Sequence, residues 1–151
     1  MFTTSYRSIL AVILVLVTTF LVSCGSPSAS VQPPTYTAQQ VEQIQKYADQ
    51  LGEKRQRMSA LASNIQDRDW IEVGSLIHGP LGTLRQEMSY LSQKLLPPDQ
   101  KVARDLAKDL FDCLNTIDAA ATEKNYSLAI KNYGLAMQDF DEFLKLVPEL
   151  S

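Results

Sequence analysis

Apolar residues follow two different patterns along the chain, and the first is a continuous run. The residues from Ile9 to Val22 carry no charge and come after a single cation, Arg7. As a helix, these positions would reach about 21 Å, which is short of the roughly 30 Å hydrocarbon core of a bilayer. The run therefore predicts the apolar region of a signal peptide that is removed, and not a permanent membrane span.

A cysteine follows this run directly. The residues from Leu21 to Cys24 (LVSC) resemble the bacterial lipobox, in which the cysteine is lipidated before cleavage leaves it as the first residue of the mature chain. The alternative is an ordinary signal peptide beside which Cys24 is incidental. We predict a lipoprotein signal peptide over residues 1–23 and a lipid anchor at Cys24. Residues 24–37, uncharged and rich in Ser and Pro, predict a flexible tether.

From Thr37 onward the apolar positions recur at steps of three and four, which is the spacing of amphipathic helices. The residues from Thr37 to Gln40 resemble a capping box at the start of the first helix. The spacing and the turn residues predict four helices, over residues 38–66, 70–95, 99–122 and 126–147. The second has the most regular apolar seam, which comprises Trp70, Val73, Ile77, Leu81, Leu84, Met88, Leu91 and Leu95.

Gly79 and Pro80 lie inside that seam. Pro80 has no amide hydrogen to donate to the carbonyl of Leu76, and its ring crowds the preceding turn, so the helix should bend there. We predict a kink near residues 77–82 rather than the end of the helix. The predicted fold is an all-α, up-down-up-down four-helix bundle over residues 38–151, with a Pro-kinked second helix.

The composition excludes several classes of protein. One histidine and two cysteines among 151 residues cannot supply a zinc site with paired imidazoles, a di-iron bundle or a disulfide-rich scaffold. A formal charge of −3 gives no overall basic character for binding nucleic acid. Removal of residues 1–23 would leave 128 residues with a charge of −4, because Arg7 is lost with the leader.

Three aspartates on the predicted third helix, Asp105, Asp109 and Asp112, are spaced so that they could face one cation. However, Lys101 and Lys108 each lie four residues before one of them, which favours a solvated face of ion pairs. We predict no metal site and no cofactor.

Two further side chains are candidates for chemistry. Cys113 falls on the apolar seam of the third helix, where a cysteine usually acts as a small, inert apolar residue. His78 is expected to bond a local backbone carbonyl, and the alternatives are contact with a partner protein or one weak surface metal site. Because neither residue lies in a recognisable nucleophile motif, we predict no catalytic residue and no small-molecule substrate.

A basic stretch is assigned to the first helix, at Lys54, Arg55, Arg57 and Arg68. Its simplest interpretation is a solvated helix face. The functional alternative is a patch that docks an acidic partner or an anionic lipid, since local positive charge survives the negative total.

Two blocks of sequence resemble the PsbQ family of extrinsic photosystem II subunits, and in particular its cyanobacterial lipoprotein branch. The first block is Trp70-x-x-Val73-x-x-x-Ile77-His78-Gly79-Pro80-Leu81-Gly82-x-Leu84-Arg85. The second consists of Ala119-Ala120, Asn125-Tyr126-x-x-Ala129-x-x-x-Tyr133 and Phe140-x-x-Phe143-Leu144. The first is the more specific, because a His-Gly-Pro-Leu-Gly sequence inside a helical pattern is unusual.

The resemblance implies a four-helix bundle on the lumenal face of photosystem II, held to the thylakoid membrane by its lipid. Such a subunit would cover the photosystem II core and other extrinsic lumenal subunits, stabilise the oxygen-evolving complex and slow the loss of calcium and chloride, without catalysis. The docking residues that we predict are Trp70, His78, Gly79, Pro80, Leu81, Gly82 and Arg85, with Lys54, Arg55 and Arg57. The alternative functions are an envelope lipoprotein adaptor or chaperone unrelated to photosynthesis and, less favoured, a metal-binding or redox enzyme.

Overall fold

The computed structural model describes residues 34–149, so the predicted signal peptide, Cys24 and most of the predicted tether lie outside the described residues. Within that range the chain forms five α-helices and no strand. None of the helices described is long and apolar enough to span a membrane. The helices are α1 (Ala38–Asp67), α2 (Trp70–His78), α3 (Leu84–Lys94), α4 (Pro97–Thr122) and α5 (Tyr126–Leu144).

Polar caps set the start of α1 and its junction with α2. The Thr37 hydroxyl accepts from the Gln40 amide, and the Gln40 side chain accepts from the Thr37 amide at 2.9 Å, which confirms the predicted capping box. At the other end, Arg68 adopts a left-handed conformation with φ of 58°. The carboxylate of Asp69 then accepts from the Glu72 amide and caps α2, so that only two residues separate α1 from α2.

The segment predicted to form one kinked helix is two separate helices, so this detail of the prediction is wrong. Helix α2 ends at His78 and α3 begins at Leu84. Pro80 supplies no donor, and the next amide, that of Leu81, bonds the carbonyl of Leu76 at 3.1 Å, five residues back instead of four. The regular helical hydrogen-bond ladder is therefore lost across the bend.

The later helices differ from the predictions mainly at their ends. Helix α4 starts at Pro97, two residues before the predicted Asp99, because proline suits the first turn of a helix. The amide of Leu96 just before it donates to the hydroxyl of Tyr36 at 2.9 Å. Asn125 caps α5 by accepting from the Leu128 amide at 3.1 Å.

One apolar core joins all five helices. Helices α1 and α4 each pack against α2, α3 and α5. Every predicted seam position from Val73 to Leu95 is buried, while Trp70 is half-buried. In α4 the core positions include Phe111 and Leu114 beside Leu110 and Ile117, whereas the predicted Cys113 is only half-buried.

Candidate docking surface at the bend between α2 and α3

The bend depends on two glycines that allow backbone segments to approach closely. A β-carbon at Gly79 would lie 2.7 Å from the carbonyl oxygen of Ser75. At Gly82 it would lie 2.7 Å from the oxygen of His78 and 3.2 Å from that of Gly79. Neither glycine has a positive φ, so space and not backbone torsion requires them.

Lys54 of α1 reaches across to this bend. Its Nζ donates to the carbonyl of Pro80 at 2.8 Å and to the hydroxyl of Thr83 at 2.9 Å, and it lies 3.6 Å from the Glu87 carboxylate. The Thr83 hydroxyl donates in turn to Glu87 at 2.7 Å. One ammonium group therefore satisfies a carbonyl that the broken helix leaves without a partner, and it ties α1 to the start of α3.

His78 pairs with a side chain and not with the backbone carbonyl expected from the sequence. Its Nε2 lies 3.1 Å from both carboxylate oxygens of Asp118 on α4. The His78 side chain is 71% exposed, so the pair lies on the surface and contributes little to stability. Forty residues separate the two partners along the chain, so the sequence around His78 does not indicate this pair.

The remaining residues of the bend divide into core and surface. Leu81 is 2% exposed and Trp70 is half-buried against the core, so both mainly hold the helices together. Gly79, Pro80 and Gly82 are exposed. These three present the bend to solvent.

Arg85 forms the far edge of this surface. Its guanidinium carbon lies 4.1 Å from the centre of the Phe111 ring, which is a close cation–π contact between α3 and α4. Phe111 is not among the residues predicted from the sequence, although it lies next to the buried Leu110. The stack fixes the direction of the arginine at the rim of a groove between the two helices.

The comparison with known proteins covers both the bend and the rest of the described chain. Residues 3–148 match the family model of PsbQ, described as oxygen evolving enhancer protein 3. The chain belongs to the PsbQ family. One relative is "CyanoQ" from Synechocystis sp. (strain ATCC 27184 / PCC 6803 / Kazusa), which is 45% identical over 146 residues, covering 96% of this chain and 97% of that protein.

The second block of PsbQ-like sequence has a mostly structural role. Its residues Ala120, Ala129, Phe140 and Phe143 are all buried at the contact of α4 with α5 and in the adjoining core. The first block instead contributes to both core and surface, since it contains Leu81 and also the exposed bend. In this PsbQ-family chain, the first block therefore offers more exposed residues for docking than the second.

The predicted basic patch is not a set of free charges. Arg55 donates to both carboxylate oxygens of Asp141 on α5, at 2.6 and 3.1 Å. This hydrogen-bonded pair lowers the pKa of Asp141 and raises that of Arg55. With Lys54 held at the bend, only Arg57 of the three predicted docking cations forms no ion pair with another described residue. Docking by this patch stays a prediction.

The aspartates of α4 behave as predicted for an ion-paired face. Lys101 pairs with Asp105, and Lys108 pairs with Asp112 at 2.6 Å. Over residues 34–149, no three His, Cys, Asp or Glu side chains converge in a way that could hold a metal ion. Burial, with smaller contributions from nearby aspartates, raises the pKa of the Cys113 thiol and so lowers its reactivity.

Proposed function

We propose that this chain is a non-catalytic extrinsic subunit of photosystem II on the lumenal side of the thylakoid membrane, where it stabilises the oxygen-evolving complex. The observation that carries the proposal is the PsbQ match over residues 3–148, together with 45% identity to CyanoQ. The family description refers to oxygen evolution, and it therefore does not favour the alternative of an envelope adaptor or chaperone unrelated to photosynthesis.

We further propose that residues 1–23 are a lipoprotein leader, that Cys24 carries the lipid and that residues 24–37 are a tether to a domain over residues 38–151. The match to the family model extends over Cys24, which supports a shared role for this region. Each buried CH₂ of an acyl chain contributes about 0.8 kcal/mol to membrane binding, and two or more chains give stable attachment. The protein would then search for its partner along the membrane surface.

The packing supports a bundle in which α2 and α3 together occupy one position. Helices α1 and α4 each contact both of these shorter helices, and α5 packs against α1 and α4. We infer an up-down-up-down four-helix arrangement in which the bend lies partway along the second member. The exposed bend would then face outward from the side of the bundle.

The proposed mechanism is physical shielding. A bundle that covers lumenal loops of the photosystem II core and of other extrinsic subunits slows the escape of calcium and chloride from the catalytic cluster. The bend and Arg85 offer a rigid contour for such contact, because Lys54 and Phe111 hold them in place. This assigns the chain no cofactor and no catalytic step.

Deletion of the gene tests the proposal. Oxygen evolution should fall in the deletion strain, most strongly when calcium or chloride is scarce, and the tagged protein should co-purify with photosystem II. An equal loss at every ion concentration would argue against ion retention. A failure to co-purify would argue against the assignment to photosystem II.

The anchor has its own test. Cys24→Ser should block lipidation, and most of the protein should leave the thylakoid membrane fraction after a high-salt wash. A matched Ser26→Ala variant next to the anchor should stay bound. Retention of unlipidated Cys24→Ser protein at high salt would show that protein contacts, and not the lipid, hold it.

A further inference from the structure

A groove runs between α3 and α4 on the side of Arg85, and it has two connected parts. The part nearer the bend has a volume of about 340 Å³ and includes the apolar side chains of Ile77, Leu81 and Leu114. The other part, of about 220 Å³, lies over the small residues Ser89 and Ser92. Arg85 and Phe111 line both parts, so their stack marks the boundary between them.

The second part of the groove is positively charged. Besides Arg85, its walls carry Arg104 and Lys108. Lys108 is neutralised by Asp112 at 2.6 Å, so it contributes little net charge. Arg104 has only a 3.5 Å hydrogen bond to Gln100, and neither Arg85 nor Arg104 forms an ion pair with another residue in the range 34–149.

These two arginines therefore remain as unneutralised charges on a chain whose total charge is negative. Because the Phe111 ring already holds the Arg85 guanidinium, little side-chain entropy is lost when a carboxylate binds to it. Guanidinium groups match the geometry of carboxylates. The floor of the groove beside them is lined by apolar side chains, most of whose surface is buried in the core, and it suits a side chain without charge.

We propose that this groove is the docking site for an extended acidic segment of a neighbouring protein subunit. An apolar side chain of that segment lies in the part near the bend, and two carboxylates pair with Arg85 and Arg104. The seven helical steps from Arg104 to Phe111 rise about 10.5 Å along α4, so an extended partner covers this distance with about three residues. The inference rests on the proposed function and names the chemistry of the partner.

The apolar part of the groove favours a protein segment over a lipid headgroup. A headgroup would use the two arginines but would make no use of the part of the groove nearer the bend, whose lining includes Ile77, Leu81 and Leu114. An extended peptide uses both parts at once, since successive side chains reach different positions along it.

The experiment measures binding of the lipidated, full-length processed protein to photosystem II purified from the deletion strain, at low and high salt. The test variant is Arg85→Gln with Arg104→Gln. The matched control is Lys124→Gln with Lys131→Gln, which removes the same charge from exposed positions of the turn before α5 and of α5 itself. Binding by the test variant should weaken roughly tenfold at low salt and respond less to salt, while the control changes less than about threefold.

Arg104→Gln alone guards against misfolding, because Arg104 is exposed and its side chain makes only a 3.5 Å hydrogen bond, to Gln100, within the described chain. It should weaken binding by a few-fold with an unchanged melting temperature. If wild-type protein does not bind photosystem II at all, the proposed function is wrong. If wild-type protein binds and the test variant binds equally well, the function stands and the groove is excluded as the docking site.

Binding to vesicles of phosphatidylcholine with phosphatidylglycerol provides the remaining comparison. All proteins in it carry Cys24→Ser, so that the acyl anchor does not dominate their binding to the vesicles. Equal, weak binding of both double variants to these vesicles is the expected result. Selective loss by the Arg85 and Arg104 variant on vesicles, with normal binding to photosystem II, would identify an anionic headgroup as the ligand and overturn the proposal.

Discussion

Gly82→Ala should destabilise the protein although it adds only one methyl group. The new β-carbon would lie 2.7 Å from the carbonyl oxygen of His78, well inside the 3.4 Å at which ordinary contacts begin. The carbonyl oxygen of Gly79 would also lie close, at 3.2 Å. Both oxygens belong to the backbone, so they cannot rotate away as the end of a side chain could. Overpacking of this kind costs about 1–3 kcal/mol, or roughly 3–5 °C of melting temperature per kcal/mol in a domain of this size.

Gly134→Ala is the matched control. It lies inside α5, and a β-carbon there would meet nothing within 4 Å. The same substitution should therefore stabilise the protein by about 0.5–1 kcal/mol through the higher helix propensity of alanine. Urea unfolding followed by circular dichroism, on Cys24→Ser protein without residues 1–23, measures both. Equal stability of the Gly82 variant and the wild type, beside the expected gain at Gly134, would refute the steric reasoning.

Three further predictions concern ionisable groups. Asp141→Asn should destabilise the protein at neutral pH and lose this effect in acid. The pKa of Asp141 is lowered in the folded state, so its stabilisation is present above the pKa of the unfolded state and is lost as the pH falls through the pKa of the folded state. A double-mutant cycle with Arg55→Gln should show a coupling of less than about 1 kcal/mol, because the pair is partly exposed. Burial and, to a smaller extent, Asp109 raise the pKa of Asp139, so the stability of the protein should fall as the pH rises through that pKa. Asp139→Asn should therefore stabilise the protein at pH 7 but not at low pH. A difference in unfolding free energy between variant and wild type that is the same at pH 3 and pH 7 would contradict this. The Cys113 thiol should react with iodoacetamide more slowly than free glutathione at pH 8, and a faster reaction would show that it is more exposed or more acidic than the structure implies.

The sequence predicted the core well because helix periodicity is local. A side chain such as Leu84 or Phe140 is placed on the buried face by its own neighbours at three and four residues. The same reasoning identified Thr37 as a cap, since its partner is three residues away. It failed at residues 79–83, where a proline and two close-packed glycines add enough local cost to end the helix instead of only bending it.

The contacts that shape the surface were beyond the sequence because they are long-range. Arg55 meets Asp141 across 86 positions, and His78 meets Asp118 across 40. Nothing in the pattern around an arginine indicates which distant carboxylate the fold will bring beside it. For Phe111, the missing information was the width of the buried face of α4, which includes Phe111 as well as Leu110 and leaves Cys113 half-buried.

These long-range pairs change how a charge-removal experiment on the basic stretch must be interpreted. Neutralising Lys54, Arg55 and Arg57 together would remove the support of the bend and the Asp141 pair along with any docking charge. Weaker binding by that triple variant would then follow from a displaced bend even if no partner touched α1. Arg57→Gln separates the two causes, because Arg57 is exposed and forms no ion pair within residues 34–149. If Arg57→Gln binds normally and the triple variant does not, the stretch acts on docking through the contacts that Lys54 and Arg55 make within the chain.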